Sequence, residues 1–219
     1  MATTILRKTA LTIAAAATTA GIAGPAIAAQ ATPGTQAATA SVQADRKNNS
    51  ERELNVRYEA QPNYYYCGPA ATRNALSVQG KDINVDTMAK EMGTTEAGTN
   101  SINDITPVLN KETGKDVYRS VEITAAKADA KQVDKLREDI VRTVDDGRAV
   151  VANIAGTTTD TDGTTHSFEG GHYISVVGYR DGGKTVTIAD SANPDQASYR
   201  MSVDNLANWI ATRGYTATS

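Results

Sequence analysis

The chain has 219 residues, room for one domain with appendages. Charged residues make up 21 % and the formal net charge is −3, which excludes the basic footprint of a nucleic-acid binder. There is a single cysteine, so an internal disulfide is excluded and stability must come from the core.

The first residues have the pattern of a secretory signal. Arg7 and Lys8 give a basic start, an uncharged apolar run follows from Thr9 to Ile27, and Ala26-Ile27-Ala28 fits a small-x-small cleavage site. Cleavage is expected after Ala28, with Ala29 as the alternative. The run's threonines, with Gly21, Gly24 and Pro25, make it too weakly hydrophobic for a good membrane anchor. Removing residues 1–28 takes away two cations and no acid, so the net charge moves from −3 to −5. The expected product is secreted and soluble, without membrane association. In an oxidising compartment a lone thiol is buried and inert, paired between chains, or reactive.

Residues 29–55 are rich in Ala, Thr, Gln and Ser, then turn charged from Asp45 to Glu53. They have no apolar period and are expected to be a disordered tail or short pro-segment, with the folded domain covering residues 56–219. Val56 and Tyr58 alternate with Arg57 and Glu59, which predicts a short strand. Gly68-Pro69 and the Ala-rich run after it predict a helix with Pro in the first turn and Gly80 as its stop. Asn84 caps a second helix carrying Val85, Met88 and Met92, ended by Gly93. Ile102, Ile105 and Leu109 mark a third, with Pro107 predicting a kink or a late start. A strand is expected over 117–123. Val133, Leu136, Ile140 and Val144 then form one stripe of a helix over 129–146, closed by Gly147.

Composition changes from Ala149 onward. Residues 149–154 form a buried-type strand. Residues 156–171 are Thr, Asp and Gly-rich and are expected to be a long loop, a candidate gate. His172 to Tyr179 is a strand, Asp181-Gly182-Gly183-Lys184 a hairpin turn, and Thr185 to Ala189 the return strand. A strand over 198–203 and a last helix capped by Asp204, with Leu206, Trp209 and Ile210 on one face, complete the reading. Helices first and antiparallel strands later make the class α+β.

The chemistry concentrates at Gln61-Pro62-Asn63-Tyr64-Tyr65-Tyr66-Cys67-Gly68-Pro69. A thiol at a helix N-terminus beside an imidazole is biased towards thiolate. A side-chain amide such as that of Gln61, with the Cys67 backbone N–H, suits a developing oxyanion. His172 is the expected base. Its competitor His166 falls in the polar loop, where nothing is expected to orient it. Asp190 closes the strand that pairs by hairpin with the His172 strand, so the two should be neighbours, with Asn193 as the alternative orienter. Tyr66 and Gly171 flank the nucleophile and the base and are candidates for substrate contact. One Cys and two His without close spacing make no metal site. No phosphate loop or dinucleotide fingerprint is present, and no cofactor is expected.

Together, Gln61, Cys67-Gly68-Pro69-Ala70-Ala71, Gly171-His172-Tyr173 through Gly178-Tyr179, and Asp190 near Asn193-Pro194 resemble the bacteriocin-processing (double-glycine) group of papain-like cysteine peptidases. The similarity is greater to its secreted, stand-alone, peptidase-like branch. It spans about residues 56–215 and implies a papain-like fold, with a helical lobe carrying the cysteine and an antiparallel sheet lobe carrying histidine and aspartate. It further implies Gln61 as oxyanion-hole residue, Cys67 as nucleophile, His172 as base, Asp190 as orienter, and a peptide or protein substrate. Tyr64, Tyr65 and Tyr66 stand where transporter members usually carry an Asp, and the membrane and ATPase regions of those transporters have no counterpart in the sequence. Hydrolysis, acyl transfer or cell-wall amide cleavage, and a binding role on a degenerate fold all remain compatible with these residues.

Overall fold

The computed structural model describes residues 50–219; the expected signal and most of the expected tail lie outside the described residues. Strand β1 is Arg52–Glu53, followed by helices α1 (Cys67–Ser77), α2 (Val85–Glu91) and α3 (Ile102–Thr113). Strand β2 (Tyr118–Glu122) and helix α4 (Ala130–Asp145) lead into β3 (Val150–Thr159), β4 (Thr165–Arg180) and β5 (Thr185–Ala189). The chain ends with β6 (Ser198–Ser202), α5 (Val203–Ile210) and β7 (Gly214–Thr218). The antiparallel sheet runs in the order β2-β7-β3-β4-β5-β6, with β1 paired to β4. An N-terminal helical region packs on a C-terminal antiparallel sheet, the α+β, papain-like arrangement.

The sheet is buried on both faces because alternate side chains of its central strands point to opposite sides. Ala149, Val151, Tyr173 and Val177 face the core shared with Leu76, Met88, Ile105 and Leu109 of α1–α3. Val150, Ala152, Ile154, Ile174 and Val176 face Leu136, Ile140 and Val144 of α4 and Leu206 and Trp209 of α5. The α4 stripe is the one the periodicity predicts. Its three innermost side chains are fully buried, each contributing about 1.5–3 kcal/mol.

Local chemistry explains most helix ends. Asn84 accepts from the Asp86 and Thr87 N–H groups, and Ser101 and Asp129 form capping boxes. Pro107 neither delays nor divides α3, which begins at Ile102 directly after its cap. The last helix is capped by Ser202 rather than Asp204, because the Ser202 side chain accepts from the Asn205 N–H.

Four other expectations are corrected. The fold begins before Val56: Leu54 N–H donates to Val177 O at 2.8 Å, and Arg52 pairs with Tyr179. Residues 56–60 alternate in burial but form no strand. Their backbone bonds instead to α1 side chains, Arg57 N–H to Ser77 Oγ at 3.0 Å and Glu59 N–H to Asn74 Oδ1 at 3.0 Å. The expected loop over 156–171 is mostly β-ribbon. Thr157 faces Ser167 across it, their hydroxyls 2.8 Å apart, and only residues 160–164 turn. A Thr157–Ser167 hydroxyl pair and backbone ladder bonds support this ribbon, whose one large apolar side chain is Phe168, so its polar composition hid it. His172 consequently lies well inside β4 rather than at a strand start. Strand β7, buried throughout between β2 and β3, had no counterpart in the sequence reading.

Candidate active site

Cys67 is the first residue of α1 and is 8 % exposed. No side chain caps that first turn, and Pro69 has no N–H to satisfy, so the positive end of the helix is left at the thiol. The next residue has to be small: a Cβ on Gly68 would sit 2.3 Å from Thr99 Oγ1. The helix is moored to the sheet by Ser175 Oγ of β4, which donates to Ala71 O at 2.6 Å. Tyr173 Oη donates to Thr99 O at 3.2 Å and accepts from Asn153 Nδ2 at 3.0 Å, tying the Thr99 loop to β3 and β4.

His172 projects from β4 beside this helix end. Its Nε2 lies 2.7 Å from Asp190 Oδ1, which leaves Nδ1 for the thiol. Both side chains are 4 % exposed. Burial alone would pull the imidazole pKa down. Hydrogen bonds and charges from Asp190 and Cys67 outweigh it and push the value from 6.5 to about 9. Burial alone would raise Asp190, but His172, the Ala192 N–H at 2.9 Å and the Tyr199 hydroxyl at 2.9 Å hold it below the ordinary range. The structure thus joins His172 to Asp190, and Cys67 is near enough to act on the His172 charge. Asn193, the alternative orienter, instead accepts from the Asp195 N–H at 3.1 Å.

Gln61 is joined to the residue after Asp190. Its N–H donates to Ser191 O at 2.9 Å, and its Oε1 accepts from Ser191 Oγ at 3.1 Å. Nε2 donates one hydrogen to Asn63 O at 2.9 Å, which fixes the amide orientation and leaves one N–H to give. Tyr66 packs edge-on against Tyr65, and burial followed by the nearby Asp86 of α2 pushes its hydroxyl pKa up. Gly171 adopts φ +93, a left-handed value that lets the backbone turn into His172 at the cleft wall.

Several residues here escaped the sequence reading. Phe168 stacks on the His172 ring at 4.1 Å and 17°, fixing its plane. His166, expected to be unanchored, is buried: Nε2 lies 3.0 Å from Asp160 Oδ2 and the ring stacks on Tyr199 at 3.9 Å. Tyr199 therefore contacts His166 with its ring face and Asp190 with its hydroxyl. The signal for Phe168 and His166 was present, since they alternate with Ser167 and Glu169 as a strand requires. Ser191 and Tyr199 had no comparable local signal.

Among the described residues no cluster of three His, Cys, Asp or Glu is placed to hold a metal ion, and no helix is long and apolar enough to cross a membrane.

Residues 53–217 match the Peptidase_C39 like family. Among solved structures the fold is similar to xylellain, a cysteine protease from Xylella fastidiosa: 12 % identity, TM-score 0.50, covering 78 % of this chain and 86 % of that one. The peptidase domain of Streptococcus ComA, a bi-functional ABC transporter, aligns at 17 % identity and TM-score 0.48 over 74 % of this chain and 97 % of its own. A double glycine motif protease from an AMS/PCAT transporter aligns at 13 % identity and TM-score 0.44, covering 76 % and 94 %. A search of curated proteins returns no match.

Proposed function

The chain belongs to the Peptidase_C39 like family, and on that premise we propose that it is a secreted, stand-alone cysteine peptidase that hydrolyses a peptide bond through Cys67. The observation that carries this reading is the buried His172–Asp190 pair at 2.7 Å, set near a thiol at an uncapped helix start. A carboxylate that holds Nε2 keeps the imidazole in the orientation a base needs.

In this mechanism the Cys67 thiolate attacks the carbonyl carbon of the scissile bond. A C–S bond forms and the carbonyl electrons move onto oxygen. The free Gln61 Nε2–H and the Cys67 backbone N–H receive that oxyanion. Collapse breaks the C–N bond while protonated His172 gives its proton to the leaving amine. Neutral His172 then takes a proton from water, the hydroxide attacks the thioester carbonyl, and the C–S bond breaks to regenerate the thiolate. Asp190 stays ionised and balances the imidazolium. Tyr66 and Gly171 flank the bound peptide, and residues 1–28 act as the export signal.

The test is hydrolysis of a mixed peptide library by the protein with residues 1–28 removed, beside its Cys67→Ala variant, under mild reductant. Cleavage by the wild type alone, with a thioester intermediate trapped by hydroxylamine, is the expected result. Cleavage by both proteins, or a folded wild type that cuts nothing and whose thiol ignores iodoacetamide, would overturn it.

A further inference from the structure

Arg213 lies in the turn between α5 and β7, and none of the chemistry above uses it. Its backbone is held firmly: N–H donates to Ile210 O at 2.8 Å and O accepts from Ile123 N–H at 2.9 Å. Its side chain has no such anchor. Among the described residues no carboxylate comes within 4.0 Å of the guanidinium, and its Nε is buried without an acceptor. Arg119 and Arg142, also half-buried, are by contrast matched by Asp139. An arginine left without a counter-charge at a partly enclosed position is costly unless a ligand supplies one.

Its position indicates which ligand. The guanidinium covers Gly171, the residue before His172: a Cβ there would lie 3.4 Å from Nη2 and 3.6 Å from Cζ. Arg213 also lines a cavity of about 210 Å³ whose other walls include Asn153, Gly214, Asn100 and Ser101. Asn100 follows Thr99, which presses on Gly68, the residue after Cys67. The cavity's Arg213 thus contacts the residue before His172, and its Asn100 wall follows the Thr99 that meets Gly68. Its one carboxylate, Glu122, is exposed and accepts from Asn103 Nδ2 at 2.9 Å.

We propose that Arg213 forms an anion-binding subsite of the cleft, which takes an Asp or Glu side chain of the substrate close to the scissile bond. This rests on the peptidase reading of the same site. A guanidinium suits a planar carboxylate because its parallel N–H groups match the two oxygens. A charge-assisted hydrogen bond of this kind corresponds to a preference of about tenfold or more for an acidic residue over its amide. Glu122 opposes that preference, so Glu122→Gln should sharpen it.

The experiment has two arms. A positional-scanning peptide library is digested by the wild type, Arg213→Gln and Arg213→Glu. The expected result is an acidic preference at one position in the wild type, its loss in Arg213→Gln, and a switch towards Lys or Arg in Arg213→Glu. An acidic preference that survives in Arg213→Gln, or none in the wild type, overturns the proposal. The second arm needs no turnover: the only thiol in the chain is alkylated with anionic iodoacetate and neutral iodoacetamide. The iodoacetate-to-iodoacetamide rate ratio should fall several-fold in Arg213→Gln and recover in Arg213→Lys. A reactive thiol with an unchanged ratio refutes the subsite alone. A folded protein whose thiol ignores both reagents refutes the peptidase reading, and the subsite with it.

Discussion

Replacing Asp190 by Asn removes one negative charge while keeping a group of the same shape against His172. In the wild type His172 is raised from 6.5 to about 9, with burial opposing and Asp190 and Cys67 prevailing. That rise corresponds to about 3 kcal/mol favouring the imidazolium in the folded protein, and at 4 % exposure water screens little of it. Because the folded value lies above the unfolded one, this stability is fully present below about pH 6.5 and is lost as pH rises through about 9. In Asp190→Asn, burial works against Cys67 alone, so the imidazole should titrate more than about one pH unit lower. The assay is carbon-13 NMR of labelled histidine across pH; the chain has two histidines, and a His172→Gln spectrum identifies the signal. Urea unfolding at about pH 6 and about pH 10 should show a large stability difference in the wild type and a much smaller one in the variant. A His172 signal still titrating near 9 in Asp190→Asn would refute the assignment of Asp190 as the group that holds the proton there.

Tyr199→Phe should leave Asp190 Oδ2 without its hydroxyl donor, cost about 1–3 kcal/mol of stability, and let the Asp190 carboxyl rise from its lowered value, so that the acid limb of the stability curve moves to higher pH; an unmoved limb would make Tyr199 a packing residue only. Gly68→Ala should destabilise the fold by about 1–3 kcal/mol, because its Cβ meets the Thr99 side chain, and Thr99→Gly in the same chain should recover most of that on urea unfolding. Asp139 accepts from Arg119 at 2.7 Å, Tyr215 at 2.9 Å, Lys135 and Arg142, and is held below the ordinary carboxylate value although burial alone would raise it. Its contribution is present above that ordinary value and is lost as pH falls through the lowered one, so Asp139→Asn should cost about 3 kcal/mol near neutrality and flatten the acid limb of the stability curve. Ser191→Ala frees the Gln61 carbonyl, and the expected result is a lower kcat with KM nearly unchanged.

Much of the site was legible because its parts carry local signals. Cys67 precedes a Gly-Pro pair that starts a helix, and the structure begins α1 at that cysteine. The turn at Asp181–Gly183 brings β5 back along β4, and the side chain of Asp190 meets His172 as the hairpin argument requires. The polar ribbon was misread for a physical reason. Its strands satisfy each other through the Thr157–Ser167 pair and the backbone ladder, and the alternation of His166 and Phe168 is too short a period to stand out. The same misreading left His166 without a partner, although Asp160 lies six residues before it and the ribbon folds the two together.

What the sequence by itself determined is what i to i+4 spacing, alternation and capping can specify: the α4 stripe, the Asn84 cap, the β4–β5 hairpin, and the chain order of Cys67, His172 and Asp190. What only the tertiary structure decided is which distant segments lie side by side. The C-terminal β7 enters the sheet between β2 and β3, Tyr199 reaches Asp190 from β6, Ser191 holds Gln61 across 130 residues of chain, and Arg213 comes to rest over Gly171. Periodicity records which face of an element is apolar but not which partner covers it. Sheet order and loop closure settle that once all the elements compete for the same core.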